Sequence, residues 1–69
     1  MEMVELYKVL ADSTKIIVVK DRFKWKYLYE RPLYMGEIYD IPVKIINSRI
    51  NFMKIETINE IQYIFCEVD

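Results

Sequence analysis

Hydrophobic and polar positions follow two different periods along this chain. Near the start, Met3, Leu6, Tyr7 and Leu10 recur at i, i+3, i+4 and i+7, with Glu2, Glu5, Lys8 and Asp12 on the opposite side. That spacing predicts a short amphipathic helix. Val9 falls outside the stripe, so a first strand over Val4 to Leu10 with a turn at Ala11-Asp12-Ser13-Thr14 is the alternative. From Lys15 onward the period changes. Ile16 to Val19 is β-branched throughout, and Phe23-Lys24-Trp25-Lys26-Tyr27-Leu28-Tyr29 alternates aromatic with mostly polar residues. Both runs predict strands. Joined at Asp21-Arg22, they predict a hairpin over 15–30 with Val18 opposite Trp25 and Ile16 opposite Tyr27. Pro32 closes it, because proline cannot donate to a ladder. Phe23, Trp25 and Tyr27 then face the interior, while Lys24 and Lys26 face water.

Residues 31–42 hold the single glycine, Gly36, and both prolines' neighbourhoods, and read as a connecting loop rich in Leu33, Tyr34, Met35, Ile38, Tyr39 and Ile41. Val43 to Ile46 reads as a strand, Asn47-Ser48 as a turn, Ile50 to Ile55 as a strand and Thr57 to Glu60 as a turn. The last strand, Ile61 to Val68, is apolar on both faces and is therefore central or at an interface. The expected architecture is α+β in one domain, 1–69. It places a short N-terminal helix (or first strand) beside an antiparallel sheet of about five strands, curled toward a small barrel or packed under the helix.

Composition adds one constraint. The chain has 69 residues, 54% of them hydrophobic, a single cysteine and no histidine. A domain this small buries only ~60% of the surface its unfolded form exposes, so disulfides, metals or association usually reinforce it. Cys66 alone cannot form an internal disulfide, and without histidine a zinc site has no ligand set. Association remains, and a homodimer or another protein partner is expected. The longest purely aliphatic run, Ile16 to Val19, is far short of a membrane span, and the N-terminus carries Glu2 and Glu5 where a signal peptide is basic. An unpaired thiol agrees with a reducing compartment, so the expected location is the cytoplasm.

Charge is unevenly placed. The net charge is −1, yet Lys15, Lys20, Arg22, Lys24, Lys26 and Arg31 fall between residues 15 and 31, where only Asp21 and Glu30 oppose them. Arg22, Lys24 and Lys26 form the expected basic face. Aromatic rings beside cations are also how single-stranded nucleic acid is held, which makes nucleic-acid binding the alternative function.

Catalytic chemistry finds few parts. Without histidine, both Ser-His and Cys-His nucleophile pairs are excluded, and one glycine cannot build a phosphate-cradling loop. Glu30, Glu37 and Asp40 flank the tyrosine-rich loop and are the residue types for an acid/base pair or a magnesium site, against which stands the ordinary role of loop carboxylates as solvated surface groups. The chain is expected to be no enzyme and to need no cofactor or metal. Tyr29, Arg31, Tyr34 and Tyr39 are of the residue types that anchor protein interfaces and are the expected partner-binding residues. The contrary reading makes these rings a lid over the sheet's open end. A third possibility is a structural subunit assembling through the last strand.

Two resemblances bear on this. Leu6-Tyr7-Lys8-Val9-Leu10-Ala11-Asp12-Ser13-Thr14-Lys15 resembles the opening of small winged-helix metal-responsive repressors, but the strand patterns that follow leave no recognition helix for a major groove. Gly36-Glu37-Ile38-Tyr39-Asp40-Ile41-Pro42-Val43 looks like a segment common in small virus-encoded proteins, with Asp40 standing where those usually have glycine. That resemblance, with the compactness and the lack of enzymatic parts, points to a viral gene and transfers no function; the expected function is a protein-binding module, in its narrowest form a viral inhibitor of a host defence or regulatory protein acting by surface occlusion.

Overall fold

A four-stranded mixed sheet, open at both edges, organises the chain in a computed structural model that describes residues 1–28 and 30–69, with 27 and 28 described by their backbone alone. Its elements run α1 (Met3–Val9), β1 (Lys15–Val19), α2 (Arg22–Leu28), β2 (Tyr34–Glu37), a 3-10 turn over Ile38–Asp40, α3 (Val43–Ile46), β3 (Ile50–Ile58) and β4 (Ile61–Val68). The strand order is β2-β1-β4-β3. β1 pairs antiparallel with β2 and parallel with β4, and β3 and β4 form an antiparallel hairpin. The α+β class holds. The all-antiparallel, five-stranded expectation does not, because the β1–β4 pair is parallel, and the open edges exclude a closed barrel.

β1 and β4 are the inner strands, and both faces are covered along β1 and along the second half of β4, from Phe65 on. That is why Ile16-Ile17-Val18-Val19 has no polar position and why Phe65 to Val68 shows apolar residues on both sides. Alternate residues feed two cores. Ile16, Val18, Cys66 and Val68 meet Met3 and Leu6 of α1, Ile38 and Ile41 after β2, Ile45 of α3 and Ile50. Ile17, Val19 and Phe65 point the other way, where Trp25, Phe52, Ile58 and Tyr63 pack against them.

The N-terminal helix forms, and three of the four residues of its predicted stripe turn inward while Tyr7 is 38% exposed. Met3 and Leu6 are buried, Leu10 is half-buried, and Val9 lies in solvent. The Glu2 N–H donates to the Glu5 carboxylate at 2.9 Å, satisfying one donor at the helix start.

The predicted hairpin over 15–30 is half right. β1 is a strand, but residues 22–28 are a helix, so β1 takes its antiparallel partner from 34–37: Ile16 lies opposite Gly36 and Val18 opposite Tyr34. Local chemistry explains the change. A two-residue hairpin turn needs left-handed backbone, for which Asp21-Arg22 has no glycine. Asp21 instead caps a helix. Its Oδ1 accepts the N–H groups of Phe23 (2.9 Å) and Lys24 (3.2 Å), and its carbonyl accepts that of Trp25 (3.0 Å). On a helix Phe23 and Trp25 no longer share a face, and Phe23 is 60% exposed while Trp25 is half-buried. The aromatic inward face predicted for Phe23, Trp25 and Tyr27 is therefore corrected to Trp25 among the described side chains.

Two further segments differ from expectation. The loop predicted over 31–42 contains β2 and the 3-10 turn. Val43–Ile46 is one turn of helix, not a strand: Ile45 and Ile46 donate back to the Pro42 carbonyl at 2.9 and 3.3 Å. Proline's fixed φ suits a helix start. Val43, 81% exposed, occupies the outer side of that turn while Ile45 is buried. The turn predicted at Thr57–Glu60 tightens to Asn59 and Glu60, with φ of 52° and 68°, the left-handed pair of a type I′ hairpin. β3 consequently extends to Ile58.

Candidate functional site

Between α2 and the β3–β4 hairpin lies a cleft of about 210 Å³. Arg22, Phe23, Trp25 and Lys26 line one side, and Phe52, Lys54, Glu56 and Phe65 line the other. The floor is aromatic. Trp25 meets Phe65 with ring centroids 5.1 Å apart at 53°, and Phe52 meets Phe65 edge-on at 6.4 Å and 77°. Tilted and edge-on contacts are the arrangements that ring quadrupoles favour.

Cations roof this floor. The Arg22 guanidinium sits 4.1 Å from the Phe52 centroid and 5.0 Å from that of Phe23, and the Lys54 ammonium 5.5 Å from Phe65. Carboxylates stand beside them, with Lys54 3.0 Å from Glu56 and Arg22 3.4 Å from Glu67. Glu67 has a second task. Its Oε2 accepts the Arg22 backbone N–H at 2.8 Å, which ties the start of α2 to β4 across 45 residues of sequence. The cleft exists because of that tether together with the Trp25–Phe65 contact.

Helical spacing splits the expected basic face. Arg22 and Lys26 are four residues apart and share a side of α2, whereas Lys24 is turned away from both. Arg22 and Lys26 line the cleft, and Lys24 is exposed elsewhere. Phe52, Lys54, Glu56 and Phe65 were not expected as site residues. Phe52-x-Lys54-x-Glu56 does show the alternation of one strand face, but nothing in the sequence says that α2 lies against it.

The expected partner-binding residues are Tyr29, Arg31, Tyr34 and Tyr39. Tyr29 lies outside the described residues. Arg31 is exposed. Tyr34 packs against the α1-side core, and its hydroxyl donates to the Glu37 carbonyl. Burial, then the charges of Asp40 and Glu37, push its phenol above the usual tyrosine value. Tyr39 is 59% exposed on the 3-10 turn. Among the described residues no hydrogen bond, ion pair or ring contact joins Arg31, Tyr34 and Tyr39. β2 places Tyr34 opposite Val18, partly buried against that core.

Elsewhere, reactive chemistry is sparse. Cys66 is fully buried on β4, and burial pushes its thiol up to about 11, away from the thiolate that nucleophilic chemistry needs. Glu37 faces Lys15 at 3.9 Å. Among the described residues no three potential ligands gather where a metal ion could be held, and no helix is long and apolar enough to cross a membrane. A shallow apolar groove of about 300 Å³ lies on the other sheet face, between Leu6 and Leu10 of α1 and Met53, Ile55 and Ile64 of the hairpin. Comparisons with known proteins return no matching family model, no matching curated protein and no matching solved structure.

Proposed function

We propose that this chain is a non-enzymatic protein-binding module whose recognition surface is the cleft between α2 and β3. The ligand class is an acidic segment of a partner protein that carries an aromatic or long aliphatic anchor. The anchor enters over Trp25, Phe52 and Phe65, and its flanking carboxylates meet Arg22, Lys26 and Lys54. Bound there, the module covers a working surface of its partner. An inhibitor of a host protein, encoded by a virus, is the narrowest form of this proposal.

The observation that carries the reading is an aromatic floor and cations lining one cleft. Aromatic and arginine side chains concentrate binding energy at protein interfaces when a neighbouring pocket desolvates them. The same parts serve single-stranded nucleic acid, which is the second reading, but the chain as a whole carries a net charge of −1, whereas nucleic-acid binders are typically strongly basic.

Trp25, the only tryptophan, reports directly from the cleft. Its fluorescence is titrated with short peptides in which Phe or Leu is flanked by Asp and Glu, and separately with oligothymidylate, at low and moderate salt. Saturable quenching by the peptides that survives moderate salt, and is lost in Phe52→Ala, supports the module. Saturation by oligothymidylate alone, with steep salt dependence, moves the assignment to nucleic acid.

A further inference from the structure

We infer that this protein pairs with a second copy of itself through the outer edge of β3, in one antiparallel register centred on Ile55. β3 is the last strand in the order β2-β1-β4-β3, so one of its edges has no strand beside it. Only its beginning is covered: Glu2 bridges to Arg49, and the Ile50 N–H donates to the Met1 carbonyl at 2.7 Å. Among the described residues nothing pairs with that edge from Phe52 to Ile58. β4, which the sequence suggested as an assembling strand, cannot take this role because it lies between β1 and β3.

The hairpin determines which groups that edge presents. A two-residue turn at Asn59-Glu60 closes on a pair, Ile58 and Ile61, that exchange both backbone hydrogen bonds. Bonding positions then alternate along β3. Ile58, Glu56 and Lys54 direct their N–H and C=O groups to β4, while Thr57, Ile55 and Met53 direct theirs outward. An antiparallel second copy must bond to those three residues.

Side chains choose among the registers that remain. With Ile55 opposite Ile55 of the second copy, Met53 lies opposite Thr57 and all three outward residues bond, making about six ladder hydrogen bonds. Lys54 then lies opposite Glu56 of the second copy, and Glu56 opposite its Lys54. Both are non-hydrogen-bonded pairs, in which side chains approach most closely. Lys54 and Glu56 already touch within one chain, so the four charges alternate in sign around the twofold axis. The neighbouring registers put Lys54 opposite Lys54, or Glu56 opposite Glu56, and like charges directly opposed are unfavourable. The strand complements itself in one arrangement and repels itself in the two beside it.

The opposite face agrees. Ile55 is 63% exposed and Met53 44%, both next to the apolar groove under α1. Natural sheets blunt a bare edge with proline, a short strand or an inward charge that has no counterpart. β3 has nine residues and no proline, its bulge lies between Ile50 and Phe52 at the covered end, and its lysine comes with a matching glutamate two positions on. Pairing joins the two sheets across one seam and brings the two clefts, on the Lys54 side, to the same surface. This inference does not depend on what the cleft binds.

The test is a charge series followed by sedimentation equilibrium, with circular dichroism to confirm that each variant is folded. Wild type is expected to be a dimer. Lys54→Glu and Glu56→Lys are each expected to sediment as folded monomers, with dimer affinity weakened at least tenfold. The double exchange K54E/E56K restores complementarity and the dimer, and an equimolar mixture of the two single variants forms a heterodimer. Amide exchange in the wild-type dimer should slow Met53, Ile55 and Thr57. A wild-type monomer at high concentration, or dimers unaffected by either single exchange, would overturn the inference, and failure of both the double variant and the mixture to associate would overturn the register.

Discussion

Glu67 shows how much the site depends on one contact that spans the sequence. Its carboxylate accepts the Arg22 N–H at 2.8 Å and faces the Arg22 guanidinium at 3.4 Å, and its own side chain is only 14% exposed. A hydrogen bond to a charged partner contributes about 1.5–3 kcal/mol, while the longer contact to a third-exposed arginine adds little after screening. Glu67→Ala should therefore cost about 2 kcal/mol. Glu67→Gln keeps an oxygen for the backbone N–H and should cost about half as much. For a chain of this length, total stability is on the order of 3–10 kcal/mol, so the alanine variant loses a large share and its Tm falls by roughly 8–16 °C. Urea unfolding followed by circular dichroism and by Trp25 emission measures both effects. Because α2 hangs from this tether, emission from folded Glu67→Ala should also shift to the red as Trp25 leaves Phe65. A loss below ~0.5 kcal/mol with unchanged emission would refute the reasoning.

Three further outcomes follow from particular residues. Cys66 should react with an aromatic disulfide reagent only at the rate of unfolding. Its thiol value, raised from 9.0 to about 11, means the unfolded chain loses that proton first, so stability is complete below pH 9 and declines as pH rises toward 11; Cys66→Ala should remove that part of the decline in urea unfolding at several pH values. Glu60→Gly should stabilise by about 0.5–1 kcal/mol, since Glu60 holds a φ of 68° that costs a side chain but not glycine, as a raised Tm would record. Gly36→Ala places a Cβ 3.0 Å from the Tyr34 hydroxyl and 3.3 Å from its ring, and should cost about 1–2 kcal/mol by displacing that ring from the core, read by thermal unfolding.

What the sequence disclosed and what it concealed divide along physical lines. α1 was legible from its 3.6-residue stripe, and β1 from four β-branched residues in a row. β4 announced its central place by being apolar on both faces. α2 was concealed because alternating aromatics and lysines match a strand's period, whereas the helix is set by Asp21 and by Glu67, of which the second is remote in sequence. An aspartate immediately before the run was the local sign, and it fits a helix cap as well as a turn. Pro42 was a similar sign for α3. The parallel β1–β4 pair left no local trace, since burial on both faces is all that such strands show. The site was legible in part for the same reasons. Arg22 and Lys26 were visible as basic residues, but their company, Phe52, Lys54, Glu56 and Phe65, depends on how the sheet is ordered.

The proposal that the α2–β3 cleft is the recognition surface meets its most direct test in chemical-shift mapping of isotope-labelled protein against an acidic, phenylalanine-bearing peptide. The account predicts saturable shifts concentrated on Arg22, Trp25, Phe52, Lys54 and Phe65, with Arg31, Tyr39 and Lys24 unmoved. Shifts centred on Arg31 and Tyr39, or none at any peptide concentration, would contradict it.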